Sequence, residues 1–417
     1  MSEVKNSFKP MESKPKPILI IGAGLAGLAL ALSLQKLSIP CTVYEARPKD
    51  VRLGGAVMLS PNALRVLDTL GAYARIKSKG YQFETLSMET DERIPMGTYY
   101  FGSEQMYGYK GLRIYRRELV HELIAMAEEA GVHMEFEKKY KRVISESEDN
   151  IEVEFDDGTI IDAAMLIGTD GIHSQVREYL APGSKPKYLG QTAIAGAVKT
   201  SNVSLPADYK LPVSIAGKAG VFILAPQDID GSELLAGTQY AVPELTYAES
   251  RAISSNPEKM IEMLRRDKAD WSELVQSAME NMIPQSMYIW PFYAVPKIES
   301  WVSTHSKVVI IGDAAHAIPP TIGQGANQAL EEALGLSILL GKGNHVGDLE
   351  KWTEHRSERI ASLMEMTRKM NNNRLPKAQR DALEESQFWK PNKERPGEEM
   401  RWLYEYDVAK ELHGLGL

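Results

Sequence analysis

The strongest constraint on the fold is a glycine-rich turn between a short apolar run and an Ala/Leu-rich segment. The apolar run covers 17–21, the Ala/Leu-rich segment covers 25–37, and a second apolar run follows at 41–45. Short apolar runs of this kind are typical of buried parallel strands, and the segment between them has helical composition. The order predicts a strand–helix–strand unit within an α/β domain that has a Rossmann-like parallel sheet.

The glycines of this turn, Gly22, Gly24 and Gly27, have the spacing GxGxxG. The first glycine of such a turn allows the tight bend, the second lets the backbone approach a pyrophosphate, and the third lets helix and strand pack closely. The helix N-terminus adds free N–H groups and a positive dipole. Glu45 ends the second strand, where a carboxylate accepts hydrogen bonds from ribose hydroxyls and repels a 2′-phosphate. A tight turn without a ligand is the alternative, but the full pattern predicts a site for FAD or NAD.

Two later segments distinguish between these dinucleotides. Asp170-Gly171 and Gly312-Asp313 each follow a buried-strand pattern, and the second continues through Gly323 and Gly325 into an Ala/Leu-rich helix at 326–340. A second glycine-rich approach to a helix start offers N–H donors to the N1/C2=O edge of a reduced flavin, which carries negative charge. Asp313 is then placed to bind the ribityl hydroxyls. The two sites together favour FAD.

With these three motifs in this order, the chain resembles the single-component FAD-dependent aromatic hydroxylases, the group A flavoprotein monooxygenases. The resemblance spans residues 17–345, and the segments 52–62 and 402–407 are most similar to a fungal, salicylate-hydroxylase-like branch. It implies a glutathione-reductase-like FAD-binding domain with an inserted substrate domain.

The resemblance also implies residue roles. Arg52 and Arg116 fall where family arginines contact the FAD phosphate and ribityl region, although surface pairing is an alternative for both. Gly55 and Ala56 fall where the chain lines the isoalloxazine, and Asp170 lies in a segment that serves FAD and NAD(P)H. The residues implied to hold the flavin are Asp313, Gly323, Gly325, Ala326 and Asn327. His316 and His173 are interpreted as structural residues.

The activity that the resemblance implies is monooxygenation. NADPH or NADH reduces the flavin, O2 adds at C4a, and the resulting hydroperoxide hydroxylates or epoxidises an electron-rich aromatic or olefinic small molecule. A dehydrogenase or reductase that inserts no oxygen and an inactive flavin-binding protein remain alternatives. The Trp-x-Trp-x-Ile-Pro motif of flavin halogenases is absent from the sequence.

Changes in the pattern of apolar and polar residues along the chain predict the domain organisation. Residues 143–161 alternate apolar and polar, with Asp157-Gly158 as turn residues, which predicts an antiparallel hairpin. Residues 186–300 are predicted to mix strands and helices, a pattern that differs from the strand–helix–strand unit near the N-terminus. The predicted division is a flexible tail at 1–16, a discontinuous FAD-binding domain at 17–80, 105–185 and 301–345, a mixed β-sheet substrate domain at 81–104 and 186–300, and a helical C-terminal region at 346–417.

The substrate is the least determined part of the prediction. Aromatic residues of the inserted region and one loop proline are the pocket candidates: Tyr240, Trp290, Phe292 and Pro320. Tyr240 is also the candidate catalytic base, with core packing as the alternative for each aromatic residue. Many relatives carry an arginine at the position of Ala195, and its loss here favours a neutral or larger substrate.

Composition limits the remaining possibilities. The 417 residues carry a formal charge of −8, which disfavours nucleic acid as a partner. The single cysteine, Cys41, forms no internal disulfide and no multi-thiolate metal site, so we expect a reducing, cytoplasmic location and no metal. The longest apolar run, 18–32, is short for a membrane span. Oligomeric state is not readable from the sequence.

Overall fold

The computed structural model describes residues 16–50, 54–343 and 346–417. Within these residues the strands are, in chain order, β1 (Ile18–Ile21), β2 (Cys41–Tyr44), β3 (Ala56–Leu59), β4 (Tyr81–Phe83), β5 (Thr85–Thr90), β6 (Pro95–Tyr100), β7 (Gly111–Tyr115), β8 (His133–Glu135), β9 (Tyr140–Glu146), β10 (Ile151–Phe155), β11 (Ile160–Ala163), β12 (Met165–Gly168), β13 (Lys187–Lys199), β14 (Val213–Gly217), β15 (Gly220–Pro226), β16 (Glu233–Ala241), β17 (Tyr288–Ala294) and β18 (Val308–Ile310).

The α-helices of the same residues alternate with the strands and then dominate the C-terminal part. They are α1 (Leu25–Lys36), α2 (Pro61–Leu70), α3 (Tyr73–Ile76), α4 (Glu104–Tyr107), α5 (Arg116–Glu129), α6 (Gln175–Leu180), α7 (Tyr247–Ser254), α8 (Pro257–Leu264), α9 (Glu273–Glu280), α10 (Asp313–His316), α11 (Gly325–Lys342), α12 (Val346–Asn373), α13 (Lys377–Arg380), α14 (Arg401–Tyr404) and α15 (Val408–Gly414).

A parallel five-stranded sheet forms the centre of the fold, in the order β18-β12-β1-β2-β8. All four residues of β1 are buried, as an apolar strand covered on both faces requires. On one face Ile18 and Ile20 pack in a core with residues of α1, α5 and α11. On the other face Leu19 and Ile21 pack in a core with β10 of a smaller sheet. The α/β class predicted from the first apolar runs is confirmed.

The smaller sheet that covers the second face is antiparallel, in the order β11-β10-β9. It contains the hairpin predicted at 143–161, which is confirmed, and Gly158 adopts a φ of +83° between β10 and β11. A left-handed φ of this kind favours glycine at the turn.

A seven-stranded mixed sheet has the order β17-β13-β16-β15-β14-β5-β6. It joins 85–100 to 187–294, the two segments that the predicted substrate domain combines, although the domain boundaries stay a prediction. On one face of this sheet, Ile194 and Phe222 pack in a core with α8, α9 and Trp271. The opposite face carries Tyr288, which lies next to Gly55 and so faces the parallel-sheet part of the molecule.

In the residues that the structure describes, no helix combines the length and the apolar character that crossing a bilayer requires.

The glycine turn after β1 gives a first test of the packing. A Cβ at Gly27 would lie 2.0 Å from the carbonyl oxygen of Gly22, whereas a Cβ at Gly347, in the first turn of α12, would meet open space. We expect Gly27→Ala to destabilise the protein by about 1–3 kcal/mol because α1 must move away from β1. The matched Gly347→Ala control should leave stability unchanged or raise it by up to about 1 kcal/mol. Equal urea midpoints for the two variants would contradict this packing.

Candidate active site

The first glycine turn joins the end of β1 to the start of α1. Gly22 has a φ of +110°, and a Cβ there would lie 2.6 Å from the carbonyl oxygen of Thr169. Gly24 is the residue immediately before α1, and a Cβ on it would meet no atom within 4 Å. The turn is therefore tightly packed behind Gly22 and Gly27 and open in front of Gly24, where the first N–H groups of α1 have no partner within the helix.

The carboxylate of Glu45 lies directly against this turn. Its Oε2 accepts a hydrogen bond of 2.9 Å from the backbone N–H of Ala23, and its Oε1 accepts one of 2.9 Å from the N–H of Arg47. The end of β2 therefore places a carboxylate beside the open front of the glycine turn.

The second glycine turn follows β18 and meets the first at the same edge of the parallel sheet. Gly312 has a φ of +63°, and a Cβ on it would lie 3.4 Å from Cβ of Ala26 in α1 and 3.2 Å from Cβ of Ala329 in α11. A Cβ on Gly325, the first residue of α11, would lie 3.6 Å from Oδ1 of Asp313. The N-terminal turns of α1 and α11 therefore converge on one cleft, although they are far apart in the chain.

A third group of predicted residues lines the same cleft. The backbone N–H of Arg116 donates a 3.1 Å hydrogen bond to the carbonyl oxygen of Gly55, and Ala56 pairs with Tyr115 across β3 and β7. Gly323 has a φ of +63° and packs closely against Met58 of β3. A Cβ added to Gly323 would lie 3.3 Å from the Cβ of Met58. Arg52 lies outside the described residues.

Arg116 and Asp313 are oppositely charged residues of this cleft. Burial lowers the pKa of Arg116, and the nearby Asp313 and Tyr288 act in the opposite direction. The carboxylate of Asp313 opens to the cleft, yet the protein atoms crowded around it raise its pKa, against the effects of His316 and Arg116. The guanidinium of Arg116 also lies 5.5 Å from the ring centroid of Trp290, which is 41 % exposed.

Two cleft residues were not among the predicted site residues. Burial lowers the pKa of Arg113, and its Nε is a buried atom that has no hydrogen-bond partner in the structure. The hydroxyl of Tyr288 would lie 4.0 Å from a Cβ at Gly55. Their grouping depends on pairing between distant strands. The signals in the sequence are the arginines around Arg116 and the alternating aromatic residues at 288, 290 and 292.

Asp170 lies next to the first turn, with its Cα 3.2 Å from the position of a Cβ on Gly22. Its carboxylate accepts hydrogen bonds from the hydroxyl of Ser174 and from the N–H groups of Gln175 and Val176 at the start of α6. These bonds give the side chain a helix-capping role at the edge of the cleft.

The cofactor-binding role of Asn327 stays a prediction for its backbone, because its side chain is bonded within the protein. Its Oδ1 accepts a 2.9 Å hydrogen bond from the N–H of Ser60, and its Nδ2 donates to the carbonyl oxygens of Met58 and Gly323. The side chain is fully buried, and both amide hydrogens are used within the protein. Asn327 therefore ties β3 to the second glycine turn.

A cavity of about 440 Å³ adjoins the cleft on the face of the seven-stranded sheet that carries Tyr288. The sheet contributes apolar and aromatic side chains from β5, β6 and β14, and Thr321, two residues before Gly323, lines it as well. The opposite wall comes from the end of α12 and the segment after it, from Met370 to Lys393. The volume is in the range of small-molecule sites, about 300–1,000 Å³.

The predicted substrate residues are not among those lining this cavity. Tyr240 points to the opposite face of the sheet, where its hydroxyl donates a 2.9 Å hydrogen bond to the carbonyl oxygen of Leu264. Burial raises its pKa to about 12. Because the Tyr240 hydroxyl lies on the face turned away from the cleft and is bonded to the backbone, the prediction of a catalytic base is wrong. Phe292 is buried at 2 % exposure, and Pro320 is exposed beside Thr321.

Comparison with known proteins decides the family. A family model described as "FAD binding domain" matches residues 16–366. The chain belongs to this FAD-binding family. The resemblance to flavoprotein hydroxylases is thereby confirmed at the level of the family, and FAD is the cofactor that the family match supports.

Relatives that the chain matches along most of its length are monooxygenases by name. A 3-amino-4-hydroxybenzoate 2-monooxygenase of Streptomyces cremeus is 31 % identical over 76 % of this chain and 77 % of its own length. A 6-hydroxynicotinate 3-monooxygenase of Bordetella bronchiseptica is 28 % identical over 86 % of this chain and 91 % of its own. Klebsiella pneumoniae HpxO, solved with FAD and uric acid, has the same fold, with a TM-score of 0.76, 20 % identity and 96 % of each chain covered.

The cleft of this flavoprotein fits the cofactor of its family. The space in front of Gly24 is open, the Glu45 carboxylate lies beside it, and the buried Nε of Arg113 lacks a partner in the structure. A dinucleotide with a pyrophosphate and several hydroxyl and carbonyl acceptors matches this set of donors and the carboxylate.

A buried ionic network in α11 and α12 fixes the second glycine turn. Glu332 accepts hydrogen bonds from the N–H of Gly312 at 2.7 Å, from Nε2 of His316 at 2.6 Å and from Arg356 at 3.1 Å. Neighbouring Glu331 pairs with Arg356 and Arg359. The structural role predicted for His316 is confirmed. The glutamates went unnoticed in the sequence, although two adjacent carboxylates in an Ala/Leu-rich helix signal buried pairing.

We expect Glu332→Gln to destabilise the apoprotein by about 3–5 kcal/mol, since it removes one partner of a buried ion pair. Burial opposes ionisation of Glu332, but His316, Arg356 and the Gly312 N–H hold its pKa below the ordinary value. Its stabilisation is therefore present above the unfolded-state pKa and is lost as pH falls through the folded-state pKa.

The difference between wild type and variant should consequently shrink in acid. Urea unfolding at several pH values measures it, with Glu365→Gln, which breaks an exposed ion pair with Arg368, as the control that should change little. If Glu332→Gln does not lower the urea midpoint at neutral pH, this stabilising role of Glu332 is ruled out.

Proposed function

We propose that the cleft binds one FAD molecule between the two glycine turns. Gly22, Gly24 and Gly27 place the N-terminus of α1 against the pyrophosphate, and Glu45 accepts hydrogen bonds from the adenosine ribose. The convergence of α1 and α11 at Gly312 is the observation that carries this proposal, because it gives one elongated ligand two sets of backbone N–H donors.

The flavin end of the molecule lies, in this proposal, at the second turn. Gly323, Gly325 and Ala326 present N–H groups to the pyrimidine edge of the ring, and Asp313 accepts hydrogen bonds from the ribityl hydroxyls. Gly55 and Ala56 line the ring, with Arg116 beside the ribityl chain and phosphate and Asp170 at the rim, where NAD(P)H also approaches. Arg52 keeps its predicted phosphate role as part of the proposal.

The proposed reaction is the NADPH- or NADH-dependent hydroxylation or epoxidation of an electron-rich aromatic or olefinic compound. Bound FAD supplies hydride acceptance, oxygen activation and oxygen transfer. For a hydroxylation, NAD(P)H and a proton supply two electrons and two hydrogens, one atom of O2 enters the product, and the other leaves as water. The names of the relatives support an aromatic substrate. The fungal branch and the cytoplasmic location stay predictions.

The chain's own contribution is binding, orientation and exclusion of water. The cavity of about 440 Å³ opens beside Thr321, so a substrate within it lies next to the turn proposed to hold the flavin. Its apolar and aromatic walls from β5 and β6 displace water from the reacting groups.

Oxygen labelling tests the reaction class. We expect the FAD-loaded protein, screened with aromatic acids and phenols, to accelerate NAD(P)H oxidation and to place one atom of isotopically labelled O2 in the product, as measured by mass spectrometry. A product formed without label indicates the dehydrogenase alternative. No acceleration by any compound of a broad panel favours an inactive flavin-binding protein.

Substitution of Asp313 tests the flavin site. We expect Asp313→Ala to weaken FAD binding about 10- to 100-fold, because a hydrogen bond to a charged group contributes about 1.5–3 kcal/mol. His173→Ala is the control, since His173 is exposed and should retain the yellow cofactor. Titration of the apoprotein with FAD, followed by the visible spectrum, measures both. Equal FAD affinities of the two variants would show that Asp313 does not bind the cofactor.

A further inference from the structure

The two walls of the cavity beside the cleft differ in charge. The sheet wall is apolar or neutral, with Leu86, Met88 and Tyr99 among its residues. The opposite wall is formed by the end of α12 and the segment after it. Its charged residues are Arg374, Arg380, Asp381, Lys390 and Lys393. A surplus of positive charge in this cavity contrasts with the formal charge of −8 on the whole chain.

Some of these charges are already neutralised within the protein. Asp381 pairs with Lys377 at 2.7 Å, and Lys390 pairs with Glu385. Arg380 donates only to the backbone carbonyl oxygens of Asn373 and Gly217. The cationic excess therefore remains on the arginines and Lys393, for which no ion pair is found among the described residues.

Among the cations of this wall, Arg374 contacts the segment that leads into the second glycine turn. One of its terminal nitrogens donates a 3.0 Å hydrogen bond to the carbonyl oxygen of Thr321, which lies between the cavity and the second glycine turn. Its guanidinium also lies close enough to Tyr99 to interact electrostatically with the phenol. Burial lowers the pKa of Arg374 to about 10, so it remains a cation at neutral pH.

A guanidinium has five N–H donors, and the described residues satisfy one of them here. A partly buried cation with free donors at the wall of an apolar cavity is complementary to a planar oxyanion, which an arginine binds through two parallel hydrogen bonds.

We propose that Arg374 binds an aromatic oxyanion of the substrate, a carboxylate or a phenolate, and so orients the ring towards the cleft. This inference rests on the proposed function, because it assigns the substrate class of the same site. The orienting cation then comes from the segment after α12. Ala195, on β13 next to the edge strand β17, contributes no charge. The sequence favoured a neutral or larger substrate at this position, and the proposal replaces it with an anionic one.

Binding without turnover tests the inference separately from the reaction. The FAD-loaded protein is titrated with benzoate and benzamide, and with para-nitrophenol in its anionic and neutral forms, and the change in the flavin absorbance is followed. We expect the wild-type protein to bind at least one of the two anions roughly tenfold or more tightly than its neutral counterpart. The pair that shows the preference identifies carboxylate or phenolate as the group bound.

Variants assign the preference to Arg374. Arg374→Gln should abolish it, and Arg374→Lys should retain part of it, because the charge remains but the two-point geometry is lost. Arg251→Gln removes an exposed cation on α7 and should leave the preference unchanged. Circular dichroism and FAD content verify folding, and Arg374→Lys remains informative if the glutamine variant does not fold.

The inference is overturned if the wild-type protein binds anionic and neutral probes equally, or if Arg374→Gln keeps the full preference. Failure of the proposed function has a different signature. In that case the anion preference persists and depends on Arg374, but labelled O2 does not enter any product.

Discussion

The close approach of two helix N-termini at one edge of the parallel sheet is the constraint on which the site depends. Gly312 ends the loop after β18 and lies between Ala26 of α1 and Ala329 of α11, at a distance where a Cβ would crowd both. Small residues at these three positions let the helices start side by side. The unpaired N–H groups and the dipoles of both helices therefore act on the same volume of space.

A buried ionic network between α11 and α12 holds the second glycine turn in place. The second turn is fixed by Glu332, which accepts a hydrogen bond from the Gly312 N–H, and this carboxylate is in turn held by Arg356 of α12. Burying such ions is unfavourable unless they are paired, and here Glu331 and Glu332 of α11 pair with Arg356 and Arg359 of α12, while Nε of Arg356 is left without a partner. Helix α12 thus has two structural roles. Its middle fixes the second glycine turn through Arg356, and its end supplies a wall of the cavity of about 440 Å³.

The parts of the fold that could be predicted from sequence are those set by local chemistry. The GxGxxG turn, the Asp157-Gly158 hairpin turn and the buried parallel strands each depend on neighbouring residues, and the structure contains all of them. The substrate side could not be predicted in the same way. Tyr240 was misplaced because a strand exposes alternate residues on opposite faces, and the sequence does not show which face of β16 is turned to the cleft.

The cavity wall at 374–393 was missed for a related reason. This segment is mostly irregular, so it has no periodicity from which its position could be inferred, and its contact with β5 and β6 is decided by tertiary packing. The contacts of the Asn327 side chain also depend on tertiary packing and could not be predicted from the sequence. Asn327 belongs to the predicted motif, yet its amide serves Ser60, Met58 and Gly323.

A crystal structure of the protein with FAD would show directly whether one ligand reaches both helix ends. We expect pyrophosphate oxygens within hydrogen-bond distance, about 2.7–3.2 Å, of backbone N–H groups at the start of α1. We also expect the pyrimidine edge of the same molecule to meet the N–H groups at the start of α11. FAD held at only one of these helix ends, or bound in another part of the molecule, would contradict the proposed binding mode.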